Sequence, residues 1–582
     1  MLRRWLPYVL AMLLGLWAHL PAVSCPMAVD DFAHQAMLDQ RWPVARSPLN
    51  LYDFASGNPT ENHTLVSAGV LPWWSHSELK FRFFRPLSSL LRALDHKLFG
   101  SHPLGPHVHS LLWWLACCAS AAMLFRKTLK DPIAPLALAL FAADASHTMP
   151  LGWLANRSFL VATTFALLAL ERFASYCADG SRRDAFASVA LFVLAWLSGE
   201  YALCTLAYAG ALWLLRPRPT TEDRRRRGRE ALVVLIPLVI WLLVYTLGRY
   251  GTQHSDAYLD PFRRPRAFAI EAPTRWSAHL GELVFGVPAD GSTPWGWSQA
   301  KIHGLGIACF AAISLALYTL RPIPPSVRWF ALGAVLAMVP ALPSFGASRL
   351  QLSAQIGTAA VLATLMTRTL QKLADKHQRA TLAPWSTLLP SLGLAAIHLV
   401  ITPRTARITA QGMCNSYIKA NAIERAPIMD THGIERAHVI LVHAFDGQSL
   451  LYPPLVWHEA GIAAPRSWLG LTVTPGLYRL RRTTEQTLVL EAFIGPWLVA
   501  QPEAMFRDAS SRLRQGDRIT LAHVTITVEA LQPNAPRAVS YRFSEPLTTQ
   551  NTRLLLLTGG ALRQVPLPPV GGALVIPTPR LE

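Results

Sequence analysis

The chain opens MLRR (1–4), WLPYVLAMLLGLWAHLPAV (5–23), SCPMA (24–28) and VDDFAHQAML (29–38). The second block is apolar, free of Asp, Glu, Lys and Arg, and near the length that crosses a hydrocarbon layer. Arg3 and Arg4 stand before it, so the positive-inside rule keeps the N-terminus inside. Asp30 and Asp31 then emerge together at the outer face. Carboxylates held where headgroups and water meet point to chemistry on a membrane-borne substrate. LPAVSC (20–25) has the outline of a lipoprotein cleavage site, but the apolar run is long for a signal peptide. We read it as a retained anchor; either way the next loop lies outside.

The same reading extends along the chain. Of 582 residues 52% are hydrophobic and 15% charged, and apolar runs of spanning length recur. This is the composition of a polytopic membrane protein. The net charge of +19 would suit nucleic acid, but its densest run, 224–227 with Arg216, Arg218 and Arg229, lies between two apolar segments, as a cytoplasmic loop would. No basic face with a recognisable module accompanies it, so no nucleic-acid partner is expected. Among the seven cysteines, Cys117, Cys118, Cys204 and Cys309 fall inside apolar segments as small packing residues. Only Cys25 and Cys414 are expected in an oxidising compartment, too few for a disulfide framework.

About eleven transmembrane helices are expected, near 5–23, 104–125, 132–146, 157–172, 185–198, 200–215, 231–248, 302–320, 329–343, 351–368 and 386–402. The loops assigned inside (126–130, 172–183, 216–230, 321–328 and 368–379) are all basic. Two large loops, 24–103 and 249–301, fall outside. Within the first, Leu87, Leu90, Leu91, Leu94 and Leu98 share one helical face, the pattern of a helix lying in the interface plane. The expected domains are 1–402, transmembrane, and 403–582, outside the cytoplasm. The latter carries short β-prone runs at 438–443, 470–474, 487–493, 518–531, 538–543 and 554–557 between Pro and Gly turns, as in a small β-rich sandwich.

Polar residues return repeatedly to the outer face: Asp30, Asp31, His34, Arg82, Arg85, Asp144, His147, Asn156, Arg157, Glu200 and Arg349. Charge near the membrane is costly unless it is used or paired. Glu200, in the turn LSGEYAL (197–203), is equally consistent with an Arg partner and with substrate contact. Asp144 and His147 have an Asp-x-x-His spacing that would support a divalent metal; otherwise no cofactor is implied.

Four stretches carry a resemblance: VDDFAHQAML (29–38), FRFFRPLSSLLRALDHKLFGSHPLGPHVHSLLWWL (81–115), HTMPLGWLANRSFLVATTFALLAL (147–170) and LPSFGASRLQLSAQIG (342–357). In order and spacing they resemble GT-C membrane glycosyltransferases over residues 5–400, with the third closest to the protein O-mannosyltransferase-like branch. The resemblance implies an inverting hexosyl- or pentosyltransferase acting at the outer face of a bacterial inner membrane. Its donor would be a polyprenyl-phosphate sugar, and its acceptor a lipid, glycan or protein hydroxyl. One of Asp30 and Asp31 would be the general base. Arg349, Arg157 and Arg85 would be candidates for the lipid phosphate, which a guanidinium matches bidentately. Asp144, His147 and Glu200 would support them. Many relatives have Asp-Glu where this chain has Asp-Asp, and the eukaryotic O-mannosyltransferase-like members carry C-terminal helical repeats where this chain has β-prone runs. A transporter or flippase for a lipid-linked saccharide, or a non-catalytic GT-C-like subunit, are the alternatives. The first should show inverted repeats and broken midplane helices, and the sequence has neither.

Overall fold

The computed structural model describes residues 2–216, 221–289, 296–319, 321–375, 382–495, 497–533 and 535–576. The chain forms two compact units. One is built from Met1–Pro26, Phe84–Arg249 and Leu259–Asn415; the other from Met27–Phe83, Tyr250–Tyr258 and Ser416–Glu582.

The first unit is helical. Among the described residues, seven helices are long and apolar enough to cross a membrane: Arg4–Ser24, Leu104–Thr128, Leu154–Asp179, Arg224–Leu247, Gln299–Thr319, Ser348–Ala374 and Leu388–Arg425. Three shorter apolar helices, Ile133–Ala142, Glu200–Leu215 and Pro325–Ala341, accompany them. Leu235, Ile236, Val239, Ile240 and Leu243 lie exposed on one helix, the surface that acyl chains cover in an integral membrane protein. The helix Leu352–Ala374 is by contrast almost wholly buried, and its start is pinned by two tyrosines. The Tyr201 hydroxyl donates to Leu350 O (3.0 Å) and accepts from Ser353 N (2.7 Å), while that of Tyr208 donates to Ser353 O (2.7 Å) and accepts from Gly357 N (2.9 Å).

Three expectations change here. Residues 249–301 are not simply a loop, since Pro265–Phe285 is a helix packed on Gln299–Thr319. Its charges (Arg266, Glu271, Arg275, Glu282) and Pro273 mask a buried face of Ser277, Ala278, Leu280, Gly281, Leu283 and Val284. The boundary at 402/403 also falls elsewhere. A π-helical turn, Ile397–Ile401, carries the helix through Pro403 into Thr402–Arg425, accommodating the proline inside one rod. Finally, Cys25 and Cys414 form a disulfide across 389 residues, with Cα atoms 4.5 Å apart, so the two cysteines read as no framework do make one bridge. Parts of the basic loops assigned inside, 217–220 and 376–379, lie outside the described residues, as do 290–295 of the second large loop.

The helix Pro86–Phe99 turns Leu90, Leu94 and Leu98 outward (Leu98 is 62% exposed) and buries Ser88, Ser89, Arg92 and Asp95. This polarity is inverted for a water-facing helix and correct for one that meets lipid.

The second unit is β-rich. A six-stranded antiparallel sheet has the spatial order Ala573–Ile576, Leu477–Thr484, Thr487–Ile494, Ala535–Phe543, Val524–Gln532, Arg518–Thr520. A four-stranded sheet runs Ala561–Val565, Thr552–Thr558, His438–Leu441, Ser467–Gly470, with the last three mutually parallel. Helices Gly447–Leu451 and Pro453–Glu459 cross over between His438–Leu441 and Ser467–Gly470, as a parallel pair requires. His438–Leu441 is buried at every position, as befits a parallel central strand. The region is therefore richer than an all-antiparallel sandwich. A third sheet joins Asp53–Ser56, Lys80–Arg82 and Gly251–Gln253, so both large loops contribute strands to this unit.

Candidate active site

Asp30 and Asp31 occupy the first turn of the helix Asp30–Leu38, where the partial positive charge of the N-terminal peptide groups favours carboxylates. Asp31 is fully buried, and its Oδ2 accepts from Ala28 N (3.1 Å). Asp30 is half-buried, and its Oδ1 accepts from the Tyr452 hydroxyl (3.0 Å). Burial, and then the charge of Asp30, push the Tyr452 ionisation far above the usual phenol range, so this hydroxyl remains a donor.

The residue before the pair is strained. Val29 has φ 51°, a region that a β-branched side chain disfavours. Its N–H donates to Gln448 Oε1 (3.1 Å). Gln448 Nε2 in turn donates to Asn421 Oδ1 (3.0 Å) and Glu424 Oε2 (3.1 Å), and Asn421 Nδ2 donates to Met27 O (2.8 Å). The backbone leading into the acid pair is thus held by buried amides from Thr402–Arg425 and Gly447–Leu451. Sequence reasoning missed Tyr452, Gln448, Asn421 and Glu424. One signal was present: Gln448 and Tyr452 are four apart, the spacing that aligns two side chains on a helical face. His34, one turn on from Asp30, is buried between Tyr52 (rings 4.7 Å apart) and Phe54 (5.6 Å, stacked).

The other six expected residues belong to the first unit. Arg157, only 4% exposed, pairs with Asp95. His109 Nδ1 donates to Asp95 Oδ1 (2.6 Å), a tautomer assigned because His109 Nε2 accepts from Trp113 Nε1 (3.0 Å). Burial alone would push the pKa of Asp95 up. The His109 hydrogen bond and the Arg157 charge outweigh it and hold the carboxyl below its usual range. Arg85 Nε pairs with Glu200 Oε2 (2.9 Å), whose Oε1 also accepts from Phe84 N (2.6 Å). Of the two readings open for Glu200, the Arg partner is therefore realised.

Arg349 sits in the turn Ser348–Gln351, half-buried, with Nη1 3.0 Å from Met149 Sδ and its guanidinium 5.3 Å from the Phe345 ring centre. Asp144 caps a 3-10 turn by accepting from Ser146 N (2.9 Å). His147 is buried with Nε2 3.0 Å from Phe141 O. Among the described residues no group of three or more His, Cys, Asp or Glu side chains is arranged to hold a metal ion.

No protein-family model and no curated protein matches the chain. Solved structures do. ArnT from Cupriavidus metallidurans, bound to undecaprenyl phosphate, aligns at 12% identity over 78% of this chain and 84% of its own, with TM-score 0.38. The archaeal oligosaccharyltransferase AglB from Archaeoglobus fulgidus, in complex with an inhibitory peptide and a dolichol-phosphate, aligns at 11% identity over 79% and 64%, with TM-score 0.39. The arabinofuranosyltransferase AftD from Mycobacteria aligns at 15% identity over 93% and 40%, with TM-score 0.43. The chain thus spans less than two thirds of the latter two.

Proposed function

We propose that this protein is an integral membrane glycosyltransferase that moves one sugar from a polyprenyl-phosphate donor to a hydroxyl acceptor outside the cytoplasm, with inversion. The observation that carries the reading is the acid pair. Asp30 is half-buried at the positive end of a helix and bonded by a phenol, and it stands beside a fully buried Asp31. The four ordered sequence stretches that resemble GT-C enzymes support the donor class.

In this reaction Asp30 is the general base. It takes the proton of the acceptor hydroxyl as that oxygen bonds to the anomeric carbon. The bond from that carbon to the phosphate oxygen breaks, and its electron pair leaves with the polyprenyl phosphate. The proton passes from Asp30 to water. Asp31, bonded to the backbone that precedes it, holds the helix start and adds negative potential beside an oxocarbenium-like ring. Arg349 is the guanidinium we assign to the leaving phosphate.

The test is incorporation of labelled sugar from a panel of polyprenyl-phosphate sugars into membranes, at matched expression. Asp30→Asn is expected to lower transfer by about 10²–10⁴-fold, the usual range for a general base. Equal rates for the wild type and Asp30→Asn would remove this carboxylate from the chemistry.

A further inference from the structure

The pair that sequence reading placed in the transmembrane domain is held by residues from the far end of the chain. Tyr452 and Gln448 flank one turn of the helix Gly447–Leu451, whose start is fixed by a capping box: Asp446 accepts from Ser449 N (2.7 Å) and Ser449 Oγ accepts from Asp446 N (3.1 Å). The turn closes with Tyr452 N donating to Gln448 O (2.9 Å). With both side chains on one face, the amide grips Val29 N and the phenol grips Asp30 Oδ1. Behind them Glu424 is anchored through its carbonyl by Trp457 Nε1 (2.7 Å). A β-branched residue at positive φ persists only where its surroundings over-determine it, and the Gln448 bond supplies one such restraint at the position next to Asp30.

We propose that Tyr452 is a positioning residue for Asp30, so that the C-terminal β-rich region sets the orientation of the base rather than serving only to bind an acceptor. The inference rests on the glycosyltransferase reading above. A carboxylate with two oxygens and a free χ2 can present either lone-pair geometry to an acceptor. A phenol fixed on Oδ1 restricts that choice to one orientation of the carboxylate. Gln448 fixes the backbone, and Tyr452 fixes the side chain.

The experiment compares the wild type, Asp30→Asn, Tyr452→Phe, Gln448→Met and the double variant Asp30→Asn/Tyr452→Phe, as full-length protein in membranes with labelled polyprenyl-phosphate sugars. Tyr452→Phe keeps the buried ring and removes only the donor. Its kcat is expected to fall about tenfold, the effect of losing one charge-assisted hydrogen bond, with the donor KM unchanged. The acid limb of the pH–rate profile should move upward, because the ionised base has lost a donor. The double variant should be no slower than Asp30→Asn alone, since both act through one carboxylate. Gln448→Met should lower kcat in the same direction, and it decides the matter if Tyr452→Phe does not fold. If the wild type transfers sugar, Asp30→Asn does not, and Tyr452→Phe keeps full kcat with an unmoved acid limb, the positioning role is overturned while the glycosyltransferase reading stands. If the wild type transfers nothing, or Asp30→Asn matches it, that reading falls and this proposal falls with it.

Discussion

The two units solve opposite solvent problems with the same twenty residues. The helical unit shows Leu13, Leu235, Ile240 and Leu243 to the outside and keeps Asp95, Arg157, Arg92 and Glu230 within. The β-rich unit does the reverse around its six-stranded sheet, where Tyr478, Leu480 and Leu490 are buried and Arg479, Arg481 and Glu491 line the outer face. A charge inside the first unit must be paired because neither lipid nor protein will hydrate it. A charge on the sheet has water as its alternative partner. The same kind of ion pair should therefore matter greatly in one unit and little in the other.

The largest effect tests that contrast directly. Asp95→Leu removes the carboxylate from buried Arg157 and is expected to cost about 3–5 kcal/mol, the range for orphaning one member of a buried pair. Asp95→Leu combined with Arg157→Met should recover most of the loss, because no charge is then left alone. The readout is the temperature at which each variant ceases to elute as a monodisperse peak in detergent. Acid gives a second readout. The folded protein holds the Asp95 carboxyl below its usual range, so the pair contributes fully above about pH 4 and is lost as pH falls through the depressed value. Wild type should lose melting temperature on that descent, and the double variant should lose less. A single variant as stable as wild type would break the comparison.

Much of the helical unit was legible, since each span is one contiguous apolar run and needs no knowledge of its neighbours. The inverted leucine stripe of Pro86–Phe99 was legible for the same reason. What lies under it was not, because Asp95 meets Arg157 across 62 residues and no periodicity records that. The helix Pro265–Phe285 escaped because four charges and Pro273 interrupt its sequence without interrupting its buried face. In the site, the acid pair could be read from its place after the first span. Its phenol could not, lying 422 residues downstream. The strand Leu477–Thr484 was overlooked because LYRLRRTT shows only two inward residues, Tyr478 and Leu480, among arginines and threonines.

Close backbone approach offers a sharper, smaller test. At Gly306 a Cβ would run into the carbonyl of Ser277 on the neighbouring helix, the arrangement that small residues permit between membrane helices. Gly306→Ala should push Pro265–Phe285 off Gln299–Thr319 and cost about 1–3 kcal/mol, as overpacking does. Gly304→Ala, where nothing lies within 4 Å, should be neutral or slightly stabilising through helix propensity. Equal melting temperatures for the two variants would deny that this added helix is packed as described.

The smallest effect belongs to the sheet. Glu491 lies opposite Arg479 in the antiparallel register and receives Arg479 Nε at 2.8 Å and Arg481 Nε at 2.9 Å. Two guanidiniums on one carboxylate resemble a strong site: burial is the largest single contribution and pushes the Glu491 carboxyl up, but the hydrogen bonds and charges of Arg479 and Arg481 together outweigh it and hold the carboxyl below its usual range. Yet the arginine side chains are 40% and 42% exposed, so water and salt compete for every partner. Glu491→Gln should therefore cost no more than about 1 kcal/mol, and what it costs should shrink as ionic strength rises. The wild-type contribution should be present at neutral pH and vanish as pH falls through the lowered carboxyl value, the same sign as for Asp95 with a fraction of its size. Were Glu491→Gln to destabilise as much as Asp95→Leu, solvent exposure would not be what separates the two units, and the pairing geometry itself would have to carry the difference.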